Sequence, residues 1–155
     1  REIDHLLTLP PARPIEFEDA WLFLHLLFES IWRYRFLYRD LNDLLSRNRR
    51  LEMHFRSIVA RKQQVAHQLC AALADSRRLH AEEHEIEPLA TNMVVVATYW
   101  LSFEYVSNAR RFNDPDFQSR AMARGAYQVL VLIAPYLSDE GRTLFTRLAS
   151  EYLKD

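Results

Sequence analysis

Three residues near the middle of the chain have the spacing of a metal site. His80, Glu83 and His84 form the pattern His-x-x-Glu-His, in which two imidazoles can hold a zinc ion while the carboxylate acts as a base. Such a site needs a cleft and a further ligand. The motif lies instead in the most polar part of the chain, just before Pro88, where a solvated connection between helices is more common. We therefore predict no metal, no cofactor and no enzyme, and keep a metal hydrolase as a third, weaker hypothesis.

A second group of residues has the composition of a small-molecule pocket. Successive residues of a helix turn by about 100°, so the segment WLFLHLLFESIWRYRFLYRDL has one stripe with Trp21, His25, Phe28 and Trp32, and with Glu29 at its edge. Aromatic rings around one imidazole make an apolar wall with a polar group, as ligand pockets commonly have. The alternative is a core histidine bonded to a neighbour, with Glu29 paired to Arg33 one turn later.

Two later segments add polar groups to apolar helix faces. Lys62 lies in an apolar stripe between Phe55 and Leu69, where it either reaches water along its alkyl stem or points its ammonium into a cavity. Asn92 and Tyr99 are placed similarly on another helix, and the alternative for them is a polar core with satisfied partners. We predict that three helices enclose one cavity for a small, largely apolar ligand. Its predicted lining is Trp21, His25, Phe28, Glu29, Trp32, Phe55, Val59, Lys62, Asn92, Val96, Tyr99, Trp100 and Phe103.

The elements that would position these residues are helices. The chain has 155 residues, of which 49% are hydrophobic and 12% aromatic, and it contains only two glycines. This composition is typical of one helical domain with its own core. Apolar spacing predicts helices over residues 17–38, 41–47, 50–75, 87–106 and 116–135, and a last one from residue 138, the first of them unusually buried. Pro88 is expected in the first turn of its helix and Asp114 at the N-cap of the next. The fold class is therefore all-α, an antiparallel helical bundle.

The last two long predicted helices are suited to pairing with another copy of the chain. The segment AMARGAYQVLVLIAPYL combines small residues with a nearly continuous apolar run, and Gly125 inside a helix suggests that another helix approaches closely there. These helices have more apolar surface than one small bundle readily buries, so we expect a symmetric homodimer. The predicted interface residues are Thr98, Leu101, Tyr105, Gly125, Tyr127, Val131 and Ala134.

Charge and cysteine content limit the partners and the compartment. The net charge is −1, so this chain lacks the strongly basic character of a nucleic-acid binder. A single cysteine, Cys70, cannot form an internal disulfide, which is typical of a reducing cytoplasm. Neither a secretion signal nor a membrane span is evident in the sequence, so we predict a cytoplasmic protein without a membrane partner. Because residue 1 is arginine, we expect a fragment or a processed product.

The sequence resembles the C-terminal regulatory region of the tetracycline-repressor (TetR) family of bacterial regulators. The resemblance begins with WRYRFLYRDLNDLL, from Trp32 to Leu45, and continues through a long amphipathic helix to the segments NMVVVATYWLSFEYV and GAYQVLVLIAPYL. Within it, Tyr34 to Leu41 matches the signature Tyr-Arg-Phe-x-Tyr-Arg-Asp-Leu of one subgroup. The resemblance covers nearly the whole chain and keeps the order of the helices.

This resemblance implies a two-part regulator, expected to be a repressor. Residues 1–9 would be the end of a helix that connects to a missing N-terminal DNA-binding domain, and residues 10–155 would be the effector-binding and dimerisation domain. The implied partners are a second copy of the chain, a small effector and, through the missing domain only, operator DNA. The alternative is a stand-alone helical ligand-binding or scaffold protein with no role on DNA.

Overall fold

The computed structural model describes residues 16–152, which form seven α-helices and no strand. The predicted connecting helix 1–9 and the proline-rich linker after it lie outside the described residues. The helices are α1 (Phe17–Arg33), α2 (Arg35–Arg39), α3 (Leu41–Arg47), α4 (Arg49–Asp75), α5 (Glu83–Ser107), α6 (Pro115–Ile133) and α7 (Asp139–Tyr152), with a short 3-10 turn, Ala134–Tyr136, after α6. The predicted all-α bundle is confirmed.

The first predicted helix is interrupted at Tyr34. A reciprocal capping box between Glu16 and Asp19 begins α1, since each side chain binds a backbone N–H of the other's turn. The helix ends at Arg33, and α2 starts after a single non-helical residue. No glycine or proline marks this break, so the apolar spacing predicted one helix over residues 17–38. After this interruption, Tyr38 of α2 lies in the core, where its side chain is fully buried.

Helix α5 begins earlier than predicted. Glu82 and Glu85 form a capping box, and the N–H of Glu82 donates to Glu85 Oε2 over 2.8 Å. These contacts start the helix more than a turn before Pro88, which therefore lies inside the helix and not in its first turn. The predicted N-cap of α6 is confirmed. Asp114 occupies this position, and its side chain accepts a hydrogen bond from the N–H of Asp116 over 3.0 Å.

One main hydrophobic core connects the long helices. Helix α4 packs along α5, α5 packs along α6, and α6 packs along α1. The prediction that α1 is unusually buried is wrong for this single chain, because Leu22 is 59% exposed and Leu26 is 39% exposed. The opposite side of α1 faces the core, and its buried residues are Phe17, Ala20, Leu24, Leu27, Phe28, Ser30 and Ile31. Within residues 16–152, no helix is long and apolar enough to cross a membrane.

Candidate ligand-binding site

A small apolar cavity lies where α1, α4, α5 and α6 meet. Its volume is about 30 Å³, which is room for one or two water molecules. The lining side chains are Phe23, Leu24, Leu27, Lys62, Ala66, Leu69, Met93, Val94, Ala97 and Val129. All of them are apolar except Lys62. The cavity therefore combines a hydrophobic wall, drawn from four helices, with a single cation.

Lys62 is buried without a counter-charge. Its side chain is 3% exposed, and its Nζ donates a hydrogen bond to Tyr38 Oη over 3.0 Å. The ammonium also lies 4.8 Å from the ring centre of Tyr38 and 5.8 Å from that of Phe55, within the range of a cation–π contact. Among residues 16–152, no carboxylate lies within ion-pair distance of Nζ. Burial in this apolar setting lowers the pKa of Lys62 to about 8, because desolvation disfavours the charged form.

Tyr38 holds Lys62 in place from the short helix α2. Ser102 of α5 donates from its Oγ to the backbone oxygen of Tyr38 over 2.9 Å, which ties the end of α2 to α5. The ring of Tyr38 packs edge-on against Phe55 at 5.6 Å. Burial raises the pKa of the Tyr38 hydroxyl, so this group stays protonated at neutral pH. The tyrosine belongs to the segment Tyr34 to Leu41 that carries the family resemblance, and it positions the cation of the cavity.

Part of the predicted α4 surface lies around the cation. Phe55 is buried beside the ammonium, and Lys62 forms part of the cavity wall as predicted. Val59 is half-buried and packs against the core beside Ala66 and Val94, but it does not line the cavity. The cavity therefore uses the predicted face of α4, whereas its α1 and α5 walls come from residues that were not predicted.

The predicted stripe of α1 forms a different site. His25, Phe28, Glu29 and Trp32 line a groove with Pro115, Gln118, Ser119 and Met122 of α6, and its volume is about 410 Å³. Trp21 lies beside it, with its ring 5.4 Å from that of His25. Burial lowers the pKa of His25. Phe28 of the groove lies one turn after the cavity residue Leu24, so the two sites are neighbours, but no residue lines both of them. The prediction of one shared cavity for His25 and Lys62 is therefore wrong.

The predicted α5 residues lie outside the cavity. Tyr99 is 44% exposed and Phe103 is 60% exposed, and Asn92 also lies at the surface. Val96 packs against the main core, and Trp100 donates from Nε1 to the backbone oxygen of Ala121 over 2.8 Å. Because α5 is apolar on nearly every side, its spacing could not identify the inward face. The structure turns Met93, Val94 and Ala97 inward.

The predicted dimer residues divide between the core and the surface. Thr98, Leu101 and Gly125 are buried within the chain, so they cannot contact another copy directly. A Cβ at Gly125 would lie 2.6 Å from Phe28 and 2.7 Å from Trp100, so the close approach at this glycine is made by the same chain. Tyr105 packs on Phe112 and Tyr127 stacks on Phe145, and both are half-buried, as is Ala134. Val131 is 38% exposed.

An apolar stripe nevertheless remains exposed along α5. Its members are Val95, Tyr99, Phe103 and Val106, with exposed fractions of 50%, 44%, 60% and 81%. We call these four residues the α5 stripe. Towards the start of the same helix, Asn92 lines a groove with Val131 of α6. None of the four residues of the α5 stripe was among the predicted interface residues, and Tyr99 and Phe103 were predicted to line the ligand cavity instead.

The His-x-x-Glu-His motif is split between two local structures. His80 lies before the helix, and its backbone N–H donates to the carbonyl of Tyr136, whereas Glu83 and His84 begin α5. All three side chains are exposed. In the part of the chain that the structure describes, no group of three or more His, Cys, Asp and Glu residues is arranged to hold a metal ion.

Sequence reasoning missed Tyr38 and most of the cavity wall. Tyr38 was noted only as part of the segment carrying the resemblance, because a tyrosine in a short helix has no spacing that indicates a contact with a residue 24 positions later. Leu24, Leu27, Met93 and Val129 are ordinary core residues by type. They become cavity residues only because the surrounding helices leave a gap.

Comparison with known proteins identifies related sequences and structures. A family model described as TetR, bacterial transcriptional repressor, matches residues 1–145. The crystal structure of a TetR-family transcriptional regulator from Marinobacter aquaeolei VT8 is similar to this chain, with a TM-score of 0.82 and 31% sequence identity. The similarity covers 97% of this chain and 70% of that one. No curated protein matches the chain.

Proposed function

Because this chain belongs to the TetR family of bacterial transcriptional repressors, we propose that residues 10–155 are the ligand-sensing and dimerisation module of a transcriptional regulator. Membership of this family points to a transcription factor and not to an enzyme. On this proposal the DNA-binding part of the regulator lies outside residues 10–155, next to residues 1–9. The near-neutral charge of the chain supports assigning DNA contacts to that other part, since phosphate contacts need many cations.

The observation that carries the ligand-sensing proposal is the position of the cavity. Its wall is drawn from four helices, so a molecule that enters it changes the spacing of α1 and α4 relative to α5 and α6. A ligand that prefers one spacing shifts the population of the regulator toward that spacing. In a dimer, the same shift alters the distance between the two DNA-binding parts and thereby the affinity for operator DNA.

The α5 stripe supports the dimerisation proposal. Four large apolar side chains lie in one exposed row, and a contiguous patch of this kind commonly marks a protein interface. The family typically forms dimers, which makes a second copy of the chain the proposed occupant. In a twofold interface the stripe would pack against its own symmetry mate and bury these residues on both copies.

Native mass spectrometry of the chain purified from cells tests both parts of the proposal. We expect a dimer with a bound small molecule. Phe103→Glu places a charge in the α5 stripe and should give monomers that still retain the ligand. Met53→Glu is the matched control, because Met53 is 60% exposed on α4 and outside the stripe. A wild-type chain that is only monomeric at micromolar concentration, or that never carries a small molecule, would contradict the corresponding part.

A further inference from the structure

The unusual feature of the cavity is the buried ammonium of Lys62, which is hydrogen-bonded to a tyrosine hydroxyl behind the lining. An ammonium has three N–H donors, and Lys62 makes one hydrogen bond, to Tyr38 Oη. The Tyr38 hydroxyl accepts that bond, and among residues 16–152 its own O–H has no acceptor. Both side chains are almost completely buried. Lys62 lines the cavity and the Tyr38 hydroxyl lies 3.0 Å behind its Nζ, and both groups have donors without the acceptors that buried polar groups normally have.

The positive charge of Lys62 indicates which class of ligand the cavity favours. A buried ammonium without a counter-ion is unfavourable, and a nearby anion offsets that cost. Carboxylates only accept hydrogen bonds and have two oxygens, which matches one ammonium and one hydroxyl. A dianionic phosphate would bring a second negative charge into the same apolar space with no second cation. The cavity wall beyond Lys62 is apolar, so the rest of the occupant must be apolar too.

We propose that this cavity binds a monocarboxylic acid with an apolar body, whose carboxylate pairs with the Lys62 ammonium and accepts a hydrogen bond from Tyr38 Oη. The inference rests on the proposed ligand-sensing function and specifies the class of the effector. The alkyl body lies among Leu24, Leu27 and Leu69. Since the volume of the cavity is only about 30 Å³, entry of such an acid requires the half-buried Phe23 and its neighbours to move apart.

Calorimetric titration with octanoate and 1-octanol separates the headgroup from the apolar body. For the wild-type chain at pH 7, we expect octanoate to bind at least about tenfold more tightly than octanol, the size of a hydrogen bond to a charged group. Lys62→Met keeps an apolar stem and should abolish this preference. Tyr38→Phe should reduce it. Arg56→Met is the matched control, because Arg56 is an exposed cation of the same helix, paired with Glu52, and its loss should leave the preference unchanged.

The outcomes distinguish this inference from the proposed function. Equal affinity of octanoate and octanol for the wild type, or a preference that survives Lys62→Met, overturns the anionic headgroup and leaves an apolar ligand site in place. Absence of binding by both probes overturns the inference together with the assignment of ligand sensing to this cavity. If Lys62→Met does not fold, the Tyr38→Phe variant decides, since an unreduced preference for octanoate in that variant contradicts the role of the hydroxyl.

Discussion

The cavity lined by Lys62 and the groove lined by His25 both combine apolar side chains with a basic side chain, but they differ in how exposed that basic side chain is. The cavity lining has one nitrogen group, the ammonium of Lys62, whereas the groove lining has the imidazole of His25 and also the side-chain nitrogens of Trp32 and Gln118. Lys62 is 3% exposed and, among residues 16–152, is the only polar side chain that lines the cavity, whereas the groove is much larger and includes the exposed Glu29 and Ser119. Water that reaches a polar group keeps it solvated, so only the cavity imposes a large cost on its charge. The burial of the basic side chain, more than residue type, distinguishes the candidate effector site from the surface groove.

The pKa values of Lys62 and His25 reflect the same difference in burial. Desolvation lowers the pKa of Lys62 to about 8, so a residue that is normally a fixed cation becomes titratable in the weakly alkaline range. Burial also lowers the pKa of His25, but this residue is only half-buried. The cavity should therefore dominate the response of the protein to changes in packing and in pH, and the groove should contribute little.

The largest expected difference between the two sites comes from removing a wall residue. Leu69 is 2% exposed and lines the cavity, so Leu69→Ala should lower the free energy of unfolding by about 2–5 kcal/mol through lost burial and an enlarged void. Glu29→Ala removes an exposed groove side chain and should change it by less than about 0.5 kcal/mol. Denaturation in urea at equal protein concentrations measures both. Similar losses for the two variants would show that the cavity wall is no more tightly packed than the groove.

The effect of Lys62→Met on the free energy of unfolding should change with pH. Because the pKa of Lys62 falls from 10.5 to about 8 on folding, the unfolded chain binds the proton more tightly, and the charged lysine destabilises the fold below pH 8. As the pH rises from 8 towards 10.5, the unfolded chain also loses the proton and this penalty disappears. Between pH 7 and 9.5, the free energy of unfolding of the wild type should therefore rise by about 2 kcal/mol relative to that of the variant.

Two other side chains, Cys70 and Tyr38, respond to the change in pH or to the substitution. Burial raises the pKa of Cys70 to about 11, so its contribution to stability falls as the pH rises above 9, but it is present in both proteins and cancels in the difference. The variant also leaves the Tyr38 hydroxyl without its partner, which costs about 1–3 kcal/mol and should make Lys62→Met the less stable protein at high pH. A difference in stability that is constant between pH 7 and 9.5 would refute the strong desolvation of Lys62.

The smallest expected effect belongs to His25. Its folded pKa lies below the ordinary value of 6.5, so the unfolded chain takes up the proton first as the pH falls, and the fold loses stability below about pH 6.5. His25→Gln should remove this loss while leaving stability at pH 8 nearly unchanged. Comparing unfolding free energies at pH 5 and pH 8 tests this. An effect as large as that of Lys62→Met would mean that the imidazole of His25 is desolvated as strongly as the ammonium of Lys62.

Much of the architecture could be read from residue spacing, but the inward faces could not. Apolar periodicity predicted α4 almost to the residue, and Asp114 was correctly identified as a cap. Periodicity failed on α1 and α5, because apolar residues also occur on the exposed faces of these two helices. Leu22 of α1 and Phe103 of α5 are exposed although their types indicate burial. Which side faces inward is decided by the neighbouring helices.

Gly125 illustrates how a correct physical reason can lead to the wrong partner. Glycine inside a helix indicated a close approach, and the structure has one, but it comes from Phe28 and Trp100 of the same chain. A glycine inside a helix indicates that a neighbour lies close, but it does not indicate whether that neighbour belongs to the same chain or to another copy. The dimer prediction itself is untouched by this correction, and it now depends on the α5 stripe.

The sequence alone determined the all-α class, the order of the helices and the family, because helix formation depends on local spacing and the resemblance depends on the order of segments. It also indicated Lys62 as a cation on an apolar face. Only the tertiary structure decided that Lys62 meets Tyr38 over 3.0 Å, and that His25 belongs to a separate groove. A contact between residues far apart in the chain requires the relative rotation of two helices, and that rotation is set by the packing of the whole core.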